Sequence, residues 1–288
     1  IMKNCEVVEK ILQYHPNIPN YDGCDGYKAG DPEAECTGIV SALVPTVEVI
    51  RKTADLGCNL IITHEPSYYM TPDFPEWRGP FPNDVYECKR QLLEQTGITV
   101  WRDHDHIHMH QPDGIFTGVL KYLDWEPYYQ GKPDHLPMYY LCQLPETTVG
   151  ELREYLIKKL NLNGLRYIGE PDAKVSRVAI CAHLYPGGFA LPETVPEGAY
   201  LDYATALIRE MEKEGGLDVL IPGEIIEWDV LSYIRDAVAF GKNKACMNIG
   251  HFNMEELGMR YAADWITELV EEQVPVHYIP TGDIFRFV

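Results

Sequence analysis

The chain is short of basic charge: 24 Lys and Arg stand against 44 Asp and Glu, giving a formal charge of −20 over 288 residues. A field of that sign opposes a phosphate backbone at long range, so nucleic acid is a poor candidate partner. No apolar run has the length a bilayer crossing needs, and no membrane association is expected. The eight cysteines, Cys5, Cys24, Cys36, Cys58, Cys88, Cys142, Cys181 and Cys246, include no CxxC pair. Several sit inside apolar runs such as VAICA and KACMNI, so buried free thiols are expected rather than a disulfide framework. Walker A and G-x-G-x-x-G sequences are absent, and no conventional nucleophile triad is evident. The opening IMKNCEVVEKILQYH has Val7, Val8, Ile11 and Leu12 at helical spacing. It lacks the basic end and apolar centre of a secretion signal, and a cytoplasmic protein is expected. Hydrophobic residues at 45%, with 19 Tyr and five Trp, are globular values.

What the chain has in concentration is histidine. Four of its ten lie within seven residues of WRDHDHIHMH, at His104, His106, His108 and His110. In an extended backbone these would share one face, with Asp103 and Asp105 on the other. Crowded imidazoles repel when protonated and need partners when buried, and a divalent cation meets both needs. A solvated histidine-rich loop is the competing reading of the segment taken alone.

The surrounding pattern is α/β. GIVSALV reads as a strand, Thr46 as an N-cap, VEVIRKTADLG as a helix stopped by Gly57, and NLIIT as a buried strand. A helix over 84–96 closed by Gly97 leads to a third strand, ITVWR. The preceding segment 15–35, rich in Pro, Gly and Asp, reads as a long loop. His64 and Glu65 follow the second strand and the histidine row follows the third, at the strand ends where open α/β sheets bind ligands. From Met138 the pattern restarts with MYYLCQL, a capping box at Thr148 and Glu151, then LRYIG, VSRVAICA, a helix over 201–214 and DVLIP. GEIIEWDVLSYIRDAVAFG reads as a helix with a glycine stop. KACMNIG then runs into a helix whose start carries His251 and Glu255, four apart and on one face. His15, His135, His183 and His277 have no such company, and only His183, beside a Gly/Pro loop, is kept as a possible substrate contact.

Six segments in order, ALVPTVEVI, GCNLIITHEP, ITVWRDHDHIH, VAICAHLYPGG, IPGEIIEWDVL and GHFNMEELGM, resemble the NIF-three-like family of dinuclear metal proteins, whose bacterial members have often carried a GTP cyclohydrolase label. The resemblance implies two α/β domains, with residues 1–120 and 240–288 forming the metal-binding one and 121–239 inserted as the second. The metal site would lie at the carboxyl ends of strands in the first. The resemblance also implies a homo-oligomer, a hexameric ring. His64 matches the first histidine of the family's His-His-Pro, and Glu65 stands in place of the second. His104 matches a family histidine, and His108 occupies the position of a bridging aspartate. His251 and Glu255 match the C-terminal pair. His64, Glu65, His108, His251 and Glu255 thus keep an inventory of three histidines and two carboxylates. That set suits two divalent ions (Zn, Fe or Mn), with Glu65 or Glu255 bridging. His104 or His106 is the candidate general acid or base. DGCDGY departs from the family's Asp-Asn-x-Gly-Leu. The implied function is a dinuclear metal-dependent hydrolase acting on a small molecule such as a nucleotide or cyclic amide, GTP cyclohydrolase-like. The alternative is a non-catalytic metal-handling or regulatory protein.

Overall fold

The computed structural model describes residues 1–70, 73, 83–132, 136, 138–181, 183–185 and 202–288. His135 and most of the expected Gly/Pro loop after His183 lie outside them. The chain divides into two compact units, Ile1–Val119 with Glu255–Asp283 and Leu120–Met254 with Ile284–Val288. The second break falls inside a helix that sequence pattern gives as continuous.

Unit 1 is built on β2 (Ile39–Ala42), β3 (Leu60–Thr63) and β4 (Thr99–Arg102), mutually parallel and buried at every residue. Such unbroken burial is what a sheet covered on both faces requires. The connecting helices end where local chemistry ends them. The Thr46 hydroxyl accepts from the Val49 N–H at 3.1 Å to open α2 (Val47–Asp55). Gly97, left-handed at φ 64°, closes α3 (Asp84–Thr96). Two short strands complete the sheet in the order β1-β4-β3-β2-β10. β10 (Val276–Tyr278) pairs parallel with β2. β1 (Gly26–Ala29) pairs antiparallel with β4, inside the segment whose composition reads as loop. It covers an edge that would otherwise leave backbone groups of β4 unpaired.

Two helices carry the rest of unit 1's site. α5 (Gly114–Tyr122) and α9 (His251–Leu269) cross at glycines. A Cβ on Gly118 would lie 2.6 Å from the Leu257 carbonyl oxygen, and one on Gly258 2.6 Å from the Ile115 Cα. Bare backbone is therefore needed at the crossing, which sets the Leu257–Gly258 step of α9, the turn after Glu255, against Ile115 and Gly118 of α5.

Unit 2 holds a second five-stranded sheet, in the order β5-β7-β8-β9-β6. β7 (Lys174–Cys181), β8 (Val219–Ile221) and β9 (Ala245–Asn248) are parallel, flanked by antiparallel β5 (Tyr139–Thr148) and β6 (Arg166–Ile168). The capping box forms: the Glu151 N–H donates to the Thr148 hydroxyl at 3.2 Å, and the Thr148 N–H to Glu151 Oε2 at 3.0 Å, opening α6 (Val149–Leu160). α7 (Tyr203–Glu212) and α8 (Val230–Ala239) pack on a core of Leu207, Leu220, Ile234 and Cys246. The helix expected from Gly223 starts at Val230 instead. Glu224 and Ile226 exchange backbone hydrogen bonds with Leu184, so the β-branched Ile225–Ile226 step is extended. All eight cysteines are unpaired with one another and six are buried, matching the expectation of free thiols. Among the described residues no helix is long and apolar enough to cross a membrane.

Candidate metal centre

The ends of β3 and β4 are locked before any side chain acts. The N–H groups of His64 and Glu65 both donate to the Leu43 carbonyl, at 3.1 and 2.9 Å, and the Asp103 N–H donates to the Thr63 carbonyl at 2.7 Å. Arg102 Nε adds a bond to the His64 carbonyl at 2.9 Å. The His64 ring is wholly buried, with Nδ1 2.9 Å from the Asp103 carbonyl oxygen. A carbonyl only accepts, so Nδ1 carries the proton and the neutral ring's lone pair sits on Nε2. Among the described residues buried Nε2 has no hydrogen-bond partner, and it lies 3.5 Å from Glu255 Oε2 and 3.9 Å from Glu65 Oε1. A lone pair facing two carboxylates is repulsive without a positive charge between them.

The expected row of four histidines on one extended face is not what forms. Asp25 accepts from the N–H groups of His104, Asp105 and His106, at 2.7, 2.9 and 2.9 Å. That folds Asp105–His108 into a single helical turn, α4. On a turn, residues four apart share a face. His104 and His108 therefore join His64, with ring centroids 4.6 to 4.8 Å apart, while His106 and His110 point elsewhere. The Nδ1 of His104 bonds Asp105 Oδ1 at 2.8 Å, and that of His108 bonds Asp113 Oδ2 at 2.7 Å. Asp113 also caps α5 through the Ile115 and Phe116 N–H groups. All three rings thus have Nδ1 engaged, which orients Nε2 toward the shared space, as carboxylates and carbonyls do behind metal-bound histidines. One donor atom from each of His64, His104 and His108 lies within 4.8 Å of the others, and the same holds for His64, Glu65 and Glu255. This donor set, three imidazoles and two carboxylates in unit 1, fits a divalent cation of mixed N and O preference.

The charges agree with that fit. Burial pulls the His108 pKa down, but the Asp113 carboxylate, with Glu255 and Glu65, outweighs it and pushes it up to about 9. A proton is held where a cation would sit. Burial lowers the His104 pKa despite its bond to Asp105, which favours the neutral form of the ring. Asp105 is held well below the usual carboxylate range, first by the His104 hydrogen bond. For Asp25 burial raises the pKa, yet the bonds from His106, Asp105 and His104 bring it below normal.

His106 Nδ1 bonds Asp25 Oδ2 at 2.6 Å. His15, which the sequence leaves isolated, is buried with Nε2 2.6 Å from Asp103 Oδ2 and Nδ1 2.7 Å from His110 Nε2. Asp103 consequently serves His15 with its side chain and His64 with its carbonyl, instead of facing away from the histidines. In unit 2, His183 Nδ1 accepts from the Glu224 N–H at 2.8 Å, and its ring centroid is 4.4 Å from that of His251. His251 Nδ1 lies 3.1 Å from Glu224 Oε1. His64, Glu65, His108 and Glu255 thus belong to unit 1, whereas His251 is grouped with unit 2, one turn before Glu255 on α9. Sequence reasoning missed Asp25, Asp113 and His15. Asp113 left a signal, an Asp immediately before the Gly-Ile-Phe of a helix start; Asp25 and His15 left none.

A family model described as Duf34/NIF3 (NGG1p interacting factor 3) matches residues 3–183. A Clostridium acetobutylicum protein named GTP cyclohydrolase 1 type 2 homolog is 23% identical over 237 residues, 80% of this chain and 76% of that one. Staphylococcus aureus protein SA1388 superposes with a TM-score of 0.70 at 20% identity, over 100% of this chain and 99% of the other. A Bacillus cereus protein related to NIF3 does so with a TM-score of 0.67 at 15% identity, over 100% of both chains. At under 25% identity, those two likenesses carry the fold alone. With the family model spanning most of the chain and the segments around His64 and His104 inside the match, this protein belongs to the Duf34/NIF3 family.

Proposed function

We propose that the protein is a dinuclear metal-dependent hydrolase acting on a small molecule such as a nucleotide or cyclic amide. The observation that carries the reading is the convergence of three oriented Nε2 atoms with Glu65 and Glu255 in unit 1. In this reading His64, His104 and His108, with Glu65 and Glu255, would hold the ions. His251, one helical turn before Glu255, is kept as a further ligand by spacing. Bound divalent ions of the Zn, Fe or Mn type supply Lewis-acid polarisation of a carbonyl or phosphoryl group and acidify water. His104 is assigned to the ligands, and His106, which turns from the trio toward Asp25, is kept for proton transfer only at one remove from the ions. Its Nδ1 bond to Asp25 fixes the ring and leaves Nε2 as the basic nitrogen. Asp103, Asp105 and Asp113 keep the three ligand rings in the binding tautomer.

A metal-handling protein without turnover would use surplus histidines for capture. Here His106 is tied to Asp25 and His110 to His15, which favours a built site over a loose histidine tract. GTP cyclohydrolase-like chemistry enters through the family label and the name of the Clostridium relative, not through the site's geometry. The test is a panel of phosphoesters, nucleotides including GTP, and cyclic amides, each with Mn, Fe and Zn. Turnover of one class that is lost in His64→Ala supports the reading, and no turnover with a fully loaded site favours metal handling. A homo-oligomer, as a hexameric ring, belongs to the same proposal, and light scattering returning a monomer mass at micromolar concentration would contradict it.

A further inference from the structure

The histidine trio uses one nitrogen of His104. The other nitrogen faces a different set of groups. Asp105 Oδ1 accepts from His104 Nδ1 at 2.8 Å and from the Cys24 thiol at 3.6 Å, so two donors converge on one carboxylate oxygen, and the thiol also lies 3.8 Å from Asp25 Oδ1. Donor atoms of Cys24, His104 and Asp105 all lie within 4.8 Å of one another. The placement is built by its own contacts. The Tyr21 hydroxyl donates to Asp105 Oδ2 at 2.8 Å, holding Oδ1 toward Cys24 and His104. That hydroxyl also accepts from the Asp25 N–H at 2.6 Å, and Asp25 in turn caps α4. A Cβ on Gly23 would fall 2.2 Å from Asp105 Oδ2, so the loop reaches this depth only with glycine beside Cys24. Cys24 itself is 8% exposed.

We infer that Cys24, Asp105 and the Nδ1 of His104 form a second kind of cation position, a thiolate-bearing site for a borderline-soft divalent ion such as zinc. Three protein ligands of S, N and O type suit tetrahedral zinc completed by one outside ligand. A thiolate shifts preference away from the magnesium and manganese that mixed oxygen sites accept. Metal–ligand bonds of about 2.0 to 2.3 Å require donor atoms within roughly 4 Å of each other, a small adjustment of the spacing seen here. Binding replaces the two convergent protons. The thiol proton goes to solvent. The Nδ1 proton passes to Nε2 when this position alone is filled, and to solvent when the trio is filled too, making the His104 ring an imidazolate shared by two ions. The position shares His104 with the proposed centre but does not depend on that centre being filled.

Cobalt distinguishes the two. The full metal-free chain is titrated with Co²⁺ while the near-ultraviolet thiolate-to-cobalt charge-transfer band and the visible ligand-field bands are followed, with cobalt per chain measured in parallel. The wild type should show the charge-transfer band, Cys24→Ser should abolish it while retaining ligand-field absorbance, and Cys88→Ser, at an exposed thiol, should leave it intact. Circular dichroism and Cys24→Ala guard against a folding defect. His64→Ala should keep the band and lose cobalt from the trio; if it loses no cobalt, the trio fails and the thiolate site stands. A wild type without the band, or a band of equal strength in Cys24→Ser, overturns the inference.

Discussion

Both sheets place histidine and carboxylate just past the ends of parallel strands, yet they treat them differently. In unit 1, β3 and β4 deliver His64 and the α4 turn, and every ring has Nδ1 bonded to an acceptor. In unit 2, β7 delivers His183, whose Nδ1 accepts a backbone N–H from Glu224, so the proton of the neutral ring sits on Nε2. That tautomer presents a donor where a metal needs a lone pair. Histidine at a strand end is therefore a common feature of the two units. What separates them is the partner behind the ring, an acceptor in unit 1 and a backbone donor in unit 2.

The comparison breaks most sharply at Asp25. Asp25→Ala removes the acceptor of three backbone N–H groups and of His106 Nδ1. Hydrogen bonds to a charged group are strong and mutually dependent, so a loss on the order of 3 kcal/mol is expected in denaturant unfolding. The α4 turn should open, and metal content should fall with it.

Asp113→Asn sharpens the comparison at lower cost. Asn still caps α5 but no longer supplies a charge behind His108, so metal affinity should drop about 10- to 100-fold, and the metal-free protein should also lose the stability that the His108 ion pair contributes below about pH 9. Calorimetric titration with zinc checks it. An unchanged affinity would mean that orientation by this carboxylate is immaterial.

The same pair makes a pH prediction. His108 is raised in the folded chain to about 9, against about 6.5 unfolded. Its ion pair with Asp113 therefore stabilises the metal-free protein fully below about pH 6.5, and that contribution is lost as pH rises through about 9. Metal must displace the same proton, so affinity should climb across this window. His108→Gln should flatten the stability profile measured by urea unfolding at a series of pH values.

In unit 2, Thr148→Ala removes a capping box and should cost about 1 kcal/mol with no effect on metal content. A fall in metal there would contradict the assignment of the centre to unit 1.

The strands and helices around the site were legible because their limits are local. Thr46, Gly57 and Gly97 act within one turn of the elements they bound. β1 was not legible, since Gly26–Ala29 becomes a strand only by pairing with residues more than 70 positions away. The histidine row misled for a related reason. Alternation every second residue is the signature of an extended strand, but the acceptor that coils it into a turn is Asp25, about 80 residues earlier. Period alone could not show that His104 and His108 would face inward together while His106 and His110 turned to Asp25 and His15. The resemblance pointed to His64, Glu65, His104, His108, His251 and Glu255 and could not supply Asp113, which bonds His108, or His15, which bonds the Asp103 side chain.

Metal per chain, measured by elemental analysis after purification without added metal or an affinity tag, tests the central claim most directly when His108→Ala and His110→Ala are compared. The two residues lie two apart in the same segment, but His108 faces His64 and His110 bonds His15. The account predicts that His108→Ala loses bound metal while His110→Ala keeps the wild-type content. Equal loss in both would show that the histidines bind as a local cluster, and would contradict a centre built from the ends of β3 and β4.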